Sequence, residues 1–195
     1  MNKMNDPRME ATRSDALGAA LTLLQEKGAL AVTHAAISAE TGISRSTLYR
    51  HWPKLEDLRN AAIARAATGP NIAPRTNGPL RTDLTWILGH LMTALNETPW
   101  GRIAPQVIAA AATEAQTRAL MSKWIDDRSG DVAAVFATAQ ARGELKDDAP
   151  IHHLVEMAIA IPYFRKFVAG RELSHDWLDS HVDLICSLAL NSGCE

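Results

Sequence analysis

THAAISAETGISRSTLYRHW, residues 33–52, decides the fold of this 195-residue chain. The stretch divides into two short helices and a turn, and single residues say where. Thr33 precedes a helical run and is placed to cap it, its hydroxyl accepting a backbone N–H one turn in. Ala36, Ile37 and Ala39 are small or apolar and are expected to face the interior. Gly42 supplies the left-handed backbone that ends the first helix, and Ser44 caps the second. Ile43 and Leu48 anchor that second helix, which leaves Arg45, Ser46, Tyr49 and Arg50 on its outer side. Any amphipathic hairpin has a polar outer face. Here that face is a dense set of donors, as in a helix-turn-helix whose second helix enters the major groove. Arg45 and Ser46 are the expected base-edge readers. Thr33, Thr47, Tyr49, His51 and Lys54 are the expected phosphate contacts, and Arg50 suits either role.

Gly42-Ile43-Ser44 and Thr47-Leu48-Tyr49-Arg50-His51-Trp52-Pro53, with Ile37 before them and Leu58 after, resemble the TetR family of transcriptional repressors. The resemblance covers about residues 13–67 and implies a DNA-binding regulator. Three departures stand out. Ser38 and Thr41 occupy positions where the family usually has Ala, which implies slightly looser packing there. Trp52 stands where Phe is usual. After Pro53 the chain reads Lys54-Leu55-Glu56-Asp57, so Leu55 takes the place of a phosphate-binding Lys. Lys54 is placed to take over that contact from the preceding position.

The charge distribution agrees. Net charge is −2, but residues 1–67 hold nine Lys/Arg against seven Asp/Glu, and the remainder eleven against fifteen. The basic excess lies with the helix-turn-helix, as phosphate binding needs. It is small, so binding rests on well-placed contacts. Hydrophobic residues make up 47% of the chain, enough for a sizeable core. No apolar run approaches membrane-spanning length, and MNKMNDPRMEATR lacks a signal-peptide core. Two cysteines, Cys186 and Cys194, fit a reducing cytoplasm without a structural disulfide.

The expected fold is all-α: a three-helix head on a larger helical body that binds an effector and dimerises. Residues 1–12 are read as a frayed arm, 13–67 as the DNA-binding domain with a linking fourth helix from about Lys54, and 80–195 as the body. Leu17, Ala20, Leu21 and Leu24 share one helical face, with Gly28 as a stop. TGPNIAPRTNGP, 68–79, is the clear linker. Leu84, Ile87, Leu88, Leu91 and Leu95 form a second stripe, Pro99 and Pro105 break or start helices, and Gly143 closes a long helix over roughly 112–142. Further helices are expected from Pro150 to about Val168, and over about 175–191.

Phe136, Arg142-Gly143-Glu144-Leu145, Asp148, Tyr163-Phe164-Arg165, Gly170 and Val182-Asp183 resemble the ligand-binding half of one TetR branch. This implies a homodimer through the last two helices. Val155, Ala158, Ile159 and Pro162 would supply one face, and Leu178, Val182, Ile185, Leu188 and Ala189 the other. It also implies a small, mostly apolar effector. Trp86, His90, Trp100, Met121, Trp124, Met157 and Tyr163 are the candidate lining residues, bulky side chains with a soft or polar handle. Effector binding would tilt the fourth helix and mis-space the two heads on a palindromic operator. Motifs for catalysis, cofactors or metals are missing. His152-His153 diverge by about 100° on a helix, His175 and His181 are badly spaced for one metal, and there is no nucleophile elbow or phosphate-cradling loop. The alternatives are an architectural DNA protein without an inducer, against which the large body argues, or a small-molecule enzyme.

Overall fold

The computed structural model describes residues 7–67 and 73–190. Its helices are α1 (Pro7–Lys27), α2 (His34–Thr41), α3 (Arg45–His51), α4 (Leu55–Ala67), α5 (Leu80–Glu97), α6 (Pro99–Thr113), α7 (Ala115–Ala141), α8 (Ile151–Tyr163) and α9 (His175–Ala189). A 3-10 turn, Ala29–Ala31, follows α1, and a π turn, Phe164–Val168, extends α8. No strand occurs among the described residues, only an isolated bridge between Leu145 and Leu190. The fold is all-α, as the periodicities require.

Helix α1 begins at Pro7, so residues 7–12 are helical where the sequence suggests an arm; residues 1–6 of that arm lie outside the described residues. Proline suits a first helical turn because its missing N–H has no intrahelical partner there. Of the linker, 68–72 lie outside the described residues, and 73–79 carry no regular element before α5.

The chain divides into two units. The first joins residues up to 69 with 98–121. In it α1 packs on α2, α4 and α6, α2 packs on α3, and α4 packs on α6. Ala20, Leu24, Ile37, Leu48, Leu58 and Ile63 form the core with Trp100, Ile103, Ala104 and Val107 of α6. Sequence patterning puts α6 in the body; its apolar face instead completes the head. Pro99 starts α6 behind the Thr98 cap, whereas Pro105 sits inside it without breaking it. The four buried residues of α6 offset the roughly 3 kcal/mol that an interior proline costs. Arg65 ties α4 to α1 by donating to the Ser14 carbonyl at 2.8 Å, and Arg59 donates to the Val32 carbonyl at 3.2 Å.

The second unit joins 70–97 with 122–195. Helices α5, α8 and α9 pack on one another. Leu84, Ile87, Leu88, Leu91 and Leu95 are all buried, as are Val132, Val135 and Phe136 of α7. Gly143, at φ 76°, ends α7, and Glu144 N–H closes back on the Ala139 carbonyl. Pro162 lies inside α8 and cannot donate to the Ala158 carbonyl four residues earlier. His181 is buried on α9.

The faces expected to dimerise are placed differently. Val155, Ala158, Ile159 and Pro162 are buried within the subunit, and so are Leu178, Val182, Ile185 and Ala189. Of the nine, Leu188 alone is exposed. Helices α8 and α9 each have apolar residues on more than one side, and the stronger side is taken by α5 and by each other. Leu184 and Leu188 remain outside on α9, one turn apart, and Phe164 and Val168 remain outside on the π turn.

Candidate nucleic-acid interface

The hairpin of α2 and α3 follows the local chemistry of its residues. Thr33 Oγ1 accepts from Ala36 N–H at 3.0 Å, and Ser44 Oγ accepts from Thr47 N–H at 3.2 Å. Gly42 takes φ 72° and its N–H returns to the Ser38 carbonyl. Thr41 takes part in the turn. Its hydroxyl donates to the Ile37 carbonyl at 2.7 Å and accepts from Ile43 N–H at 3.3 Å, bracing the turn. Ile37 and Leu48 are fully buried and join the two helices. Ile43 is half-buried; Ala36 is half-buried and Ala39 exposed, so Ile37 alone of the three expected interior residues reaches the core.

The outer face of α3 carries Arg45, Ser46, Tyr49 and Arg50, all exposed, and the helix has no acidic residue. Thr47 is half-buried. Its hydroxyl and that of Ser46 lie 2.9 and 3.0 Å from Ser44 Oγ, so both share the cap network. Thr33 accepts as a cap and keeps its own proton for an acceptor outside. His51 is turned inward: Nε2 is buried without a hydrogen-bond partner, and the ring lies 5.6 Å from that of Trp52. In this orientation Nε2 cannot reach a phosphate. Lys54 is exposed just before α4, next to half-buried Leu55. Its ammonium forms no ion pair among the described residues.

Sequence reasoning missed His34. It opens α2, is 6% exposed, and its Nε2 lies 2.8 Å from the Trp52 carbonyl oxygen at the end of α3. Tyr49 stacks on its other side. Its position directly after the Thr33 cap was the only available signal. Arg13 of α1 lies over the Trp52 ring at 5.6 Å, which gives the departure from Phe a cation–π partner.

The candidate ligand residues do not form one site. Trp86 and His90 line a cavity of about 490 Å³ between α5 and the start of α9. His90 Nδ1 bonds the Trp86 carbonyl, and the two rings meet edge-on at 4.2 Å. Met92, Leu178 and three threonines of α5 complete the wall with His175, Arg75 and Arg81. Trp124 and Tyr163 meet each other instead, centroids 6.1 Å apart, with Arg128 beside the indole. Trp100 belongs to the core of the first unit, where it is 2% exposed, and Met121 is counted with that unit too. Met157 is half-buried on α8. Among the described residues no three His, Cys, Asp or Glu gather as metal ligands, and no helix is long and apolar enough to cross a membrane.

A short capped hairpin presenting a donor-rich second helix is the head of a helix-turn-helix DNA-binding regulator. Residues 16–62 match the family described as bacterial regulatory proteins, tetR family, and 74–185 match the tetracyclin repressor-like C-terminal domain. The chain therefore belongs to the TetR family, whose members are DNA-binding transcriptional regulators and not enzymes. Over 195 residues it is 27% identical to an uncharacterised HTH-type transcriptional regulator of Mycobacterium bovis, covering 98% of this chain and 96% of that one. YdeS of Bacillus subtilis, also an uncharacterised HTH-type regulator, is 23% identical over 188 residues, 94% of this chain and 91% of its own. A TetR regulator from Chloroflexus aurantiacus shares the fold with a TM-score of 0.77 at 19% identity, covering 95% of this chain and 100% of that chain. A regulator from Saccharomonospora viridis, solved with choline, has a TM-score of 0.74 at 20% identity, covering 93% and 99%.

Proposed function

We propose that this regulator is a cytoplasmic repressor that binds a palindromic operator as a homodimer and is released by a small-molecule effector. The observation that carries the operator reading is the outer face of α3, where Arg45, Ser46, Tyr49 and Arg50 stand exposed on a helix capped by Ser44, behind the Thr33-capped α2. Arg45 and Ser46 read base edges. Thr33, Thr47, Tyr49 and Lys54 hold phosphates, and Arg50 serves either purpose. His51 joins the phosphate contacts only if its ring turns outward. The dimer reading rests on Leu184, Leu188, Phe164 and Val168, apolar side chains left outside on α9 and the π turn. The effector reading rests on the cavity beside Trp86 and His90. Release requires that the effector bind the DNA-incompetent state more tightly. Choline is the ligand of the Saccharomonospora viridis protein; here Arg75 and Arg81 on the cavity wall oppose a cation.

Selection of bound sites from random DNA tests the operator reading. A two-fold symmetric motif is expected. An asymmetric motif, or no enrichment, would reject a palindromic operator.

A further inference from the structure

We propose that the cavity between α5 and α9 binds a small organic monocarboxylate, its charged end at Arg75 and its apolar body against Trp86 and Leu178. The proposal rests on the effector reading above and names the ligand class for that cavity.

The walls are biased in charge. Arg75, Arg81, His90 and His175 contribute to them, and no Asp or Glu does, although the chain as a whole carries more acids than bases. The two arginines are not equivalent. Arg81 is already compensated: its Nε donates to Asp183 at 2.7 Å and its Nη2 lies 3.6 Å from Asp179. Arg75 has no carboxylate partner among the described residues. Its guanidinium sits 4.1 Å from the centroid of the Trp86 ring, and the residue is exposed. Stacking on an indole orients the guanidinium plane and leaves its N–H edge available, the edge that pairs with a carboxylate bidentately. One uncompensated cation matches one negative charge.

The rest of the cavity fits an apolar body with few polar atoms. Trp86, Met92 and Leu178 offer apolar surface, and Thr82, Thr85 and Thr93 offer hydroxyls. A volume of about 490 Å³ suits a small molecule rather than a peptide or nucleic acid. The mostly apolar effector implied by the sequence thus becomes an amphipathic acid, because Arg75 arrives from a linker whose partner in space the sequence does not announce.

The test is calorimetric titration of the full-length protein with benzoate, benzyl alcohol and benzylamine, three probes of similar body and different charge. Benzoate is expected to bind at least tenfold more tightly than the other two. Arg75→Ala should weaken benzoate by about tenfold or more, the scale of a lost charge-assisted hydrogen bond, and Arg75→Lys should restore part of it. Arg75 is exposed outside any helix, so its removal leaves the core intact. Benzyl alcohol binding as well as benzoate would overturn the proposal. So would benzoate binding that is indifferent to Arg75, or no benzoate heat at millimolar concentration. Operator affinity separates this proposal from the one it rests on. Arg75-dependent benzoate binding that leaves operator affinity unchanged supports the site and rejects effector-controlled release. A neutral molecule that releases the operator while benzoate fails to bind supports controlled release and rejects the carboxylate site.

Discussion

His34 and Tyr49 stack ring on ring, their centroids 4.2 Å apart and their planes 27° from parallel. The same imidazole reaches the Trp52 carbonyl, so one buried side chain of α2 holds both the middle and the end of α3. Tyr49 remains 53% exposed, with its ring supported and its hydroxyl free to face DNA. Tyr49→Phe keeps the stack and removes the hydroxyl. It is expected to weaken binding to all DNA sequences alike. His34→Phe keeps a ring under Tyr49 but leaves the Trp52 carbonyl without its partner, and should lower stability by about 1–3 kcal/mol. Thermal melts and operator titrations of the two variants check this; a changed base preference in Tyr49→Phe would contradict the phosphate assignment.

Arg45 is the first residue of α3 and fully on its outer side. A guanidinium bonds a guanine bidentately, worth about 1–3 kcal/mol of discrimination. Arg45→Ala should relax preference at one symmetric pair of operator positions. An unchanged selected motif would make Arg45 a phosphate contact.

Lys54 is expected to supply the phosphate contact that Leu55 cannot. Lys54→Ala should lower affinity without altering sequence preference. Two heads lose one contact each, so the slope of log affinity against log salt should fall by about 1.8. Leu55→Lys should tighten binding. A salt slope unchanged in Lys54→Ala would show that this lysine is solvated in the complex.

The buried and exposed apolar residues of α9 should separate folding from assembly. Leu184→Glu with Leu188→Glu should yield a folded monomer near 21.2 kDa by light scattering, where the parent is expected near twice that. Val182→Glu or Ile185→Glu should instead lower the melting temperature, because both side chains are fully buried within the subunit. A dimer that persists in the double leucine variant would move the interface elsewhere.

Acid should loosen the α8–α9 packing through His181. Burial pushes this imidazole below its ordinary value, against a smaller raising effect from the Ala158 backbone. The unfolded chain then binds the proton that the native state refuses. The stabilisation is complete above the ordinary imidazole range, about pH 6.5, and is lost as pH falls toward the folded value. His181→Gln should flatten the melting-temperature profile between about pH 7 and pH 5. A profile as steep as that of the parent would place the acid sensitivity on other groups.

The sequence by itself determined what is local. Thr33, Gly42 and Ser44 set the hairpin because caps and left-handed turns act over three or four residues. The stripe from Leu84 to Leu95 shows the buried face of α5 because a helix repeats its faces regardless of what covers them. Tertiary structure decided which faces meet. Helix α6 completes the head because its apolar side fits α1 and α4, which no spacing within α6 reveals. Helices α8 and α9 have more apolar residues than one face holds, so neighbours chose the buried set and left Leu184 and Leu188 outside. Arg75 meets Trp86 across eleven residues of chain, and His34 meets Trp52 across eighteen. Such pairings arise from packing forces that act through space between segments, and single-chain periodicity carries no record of them.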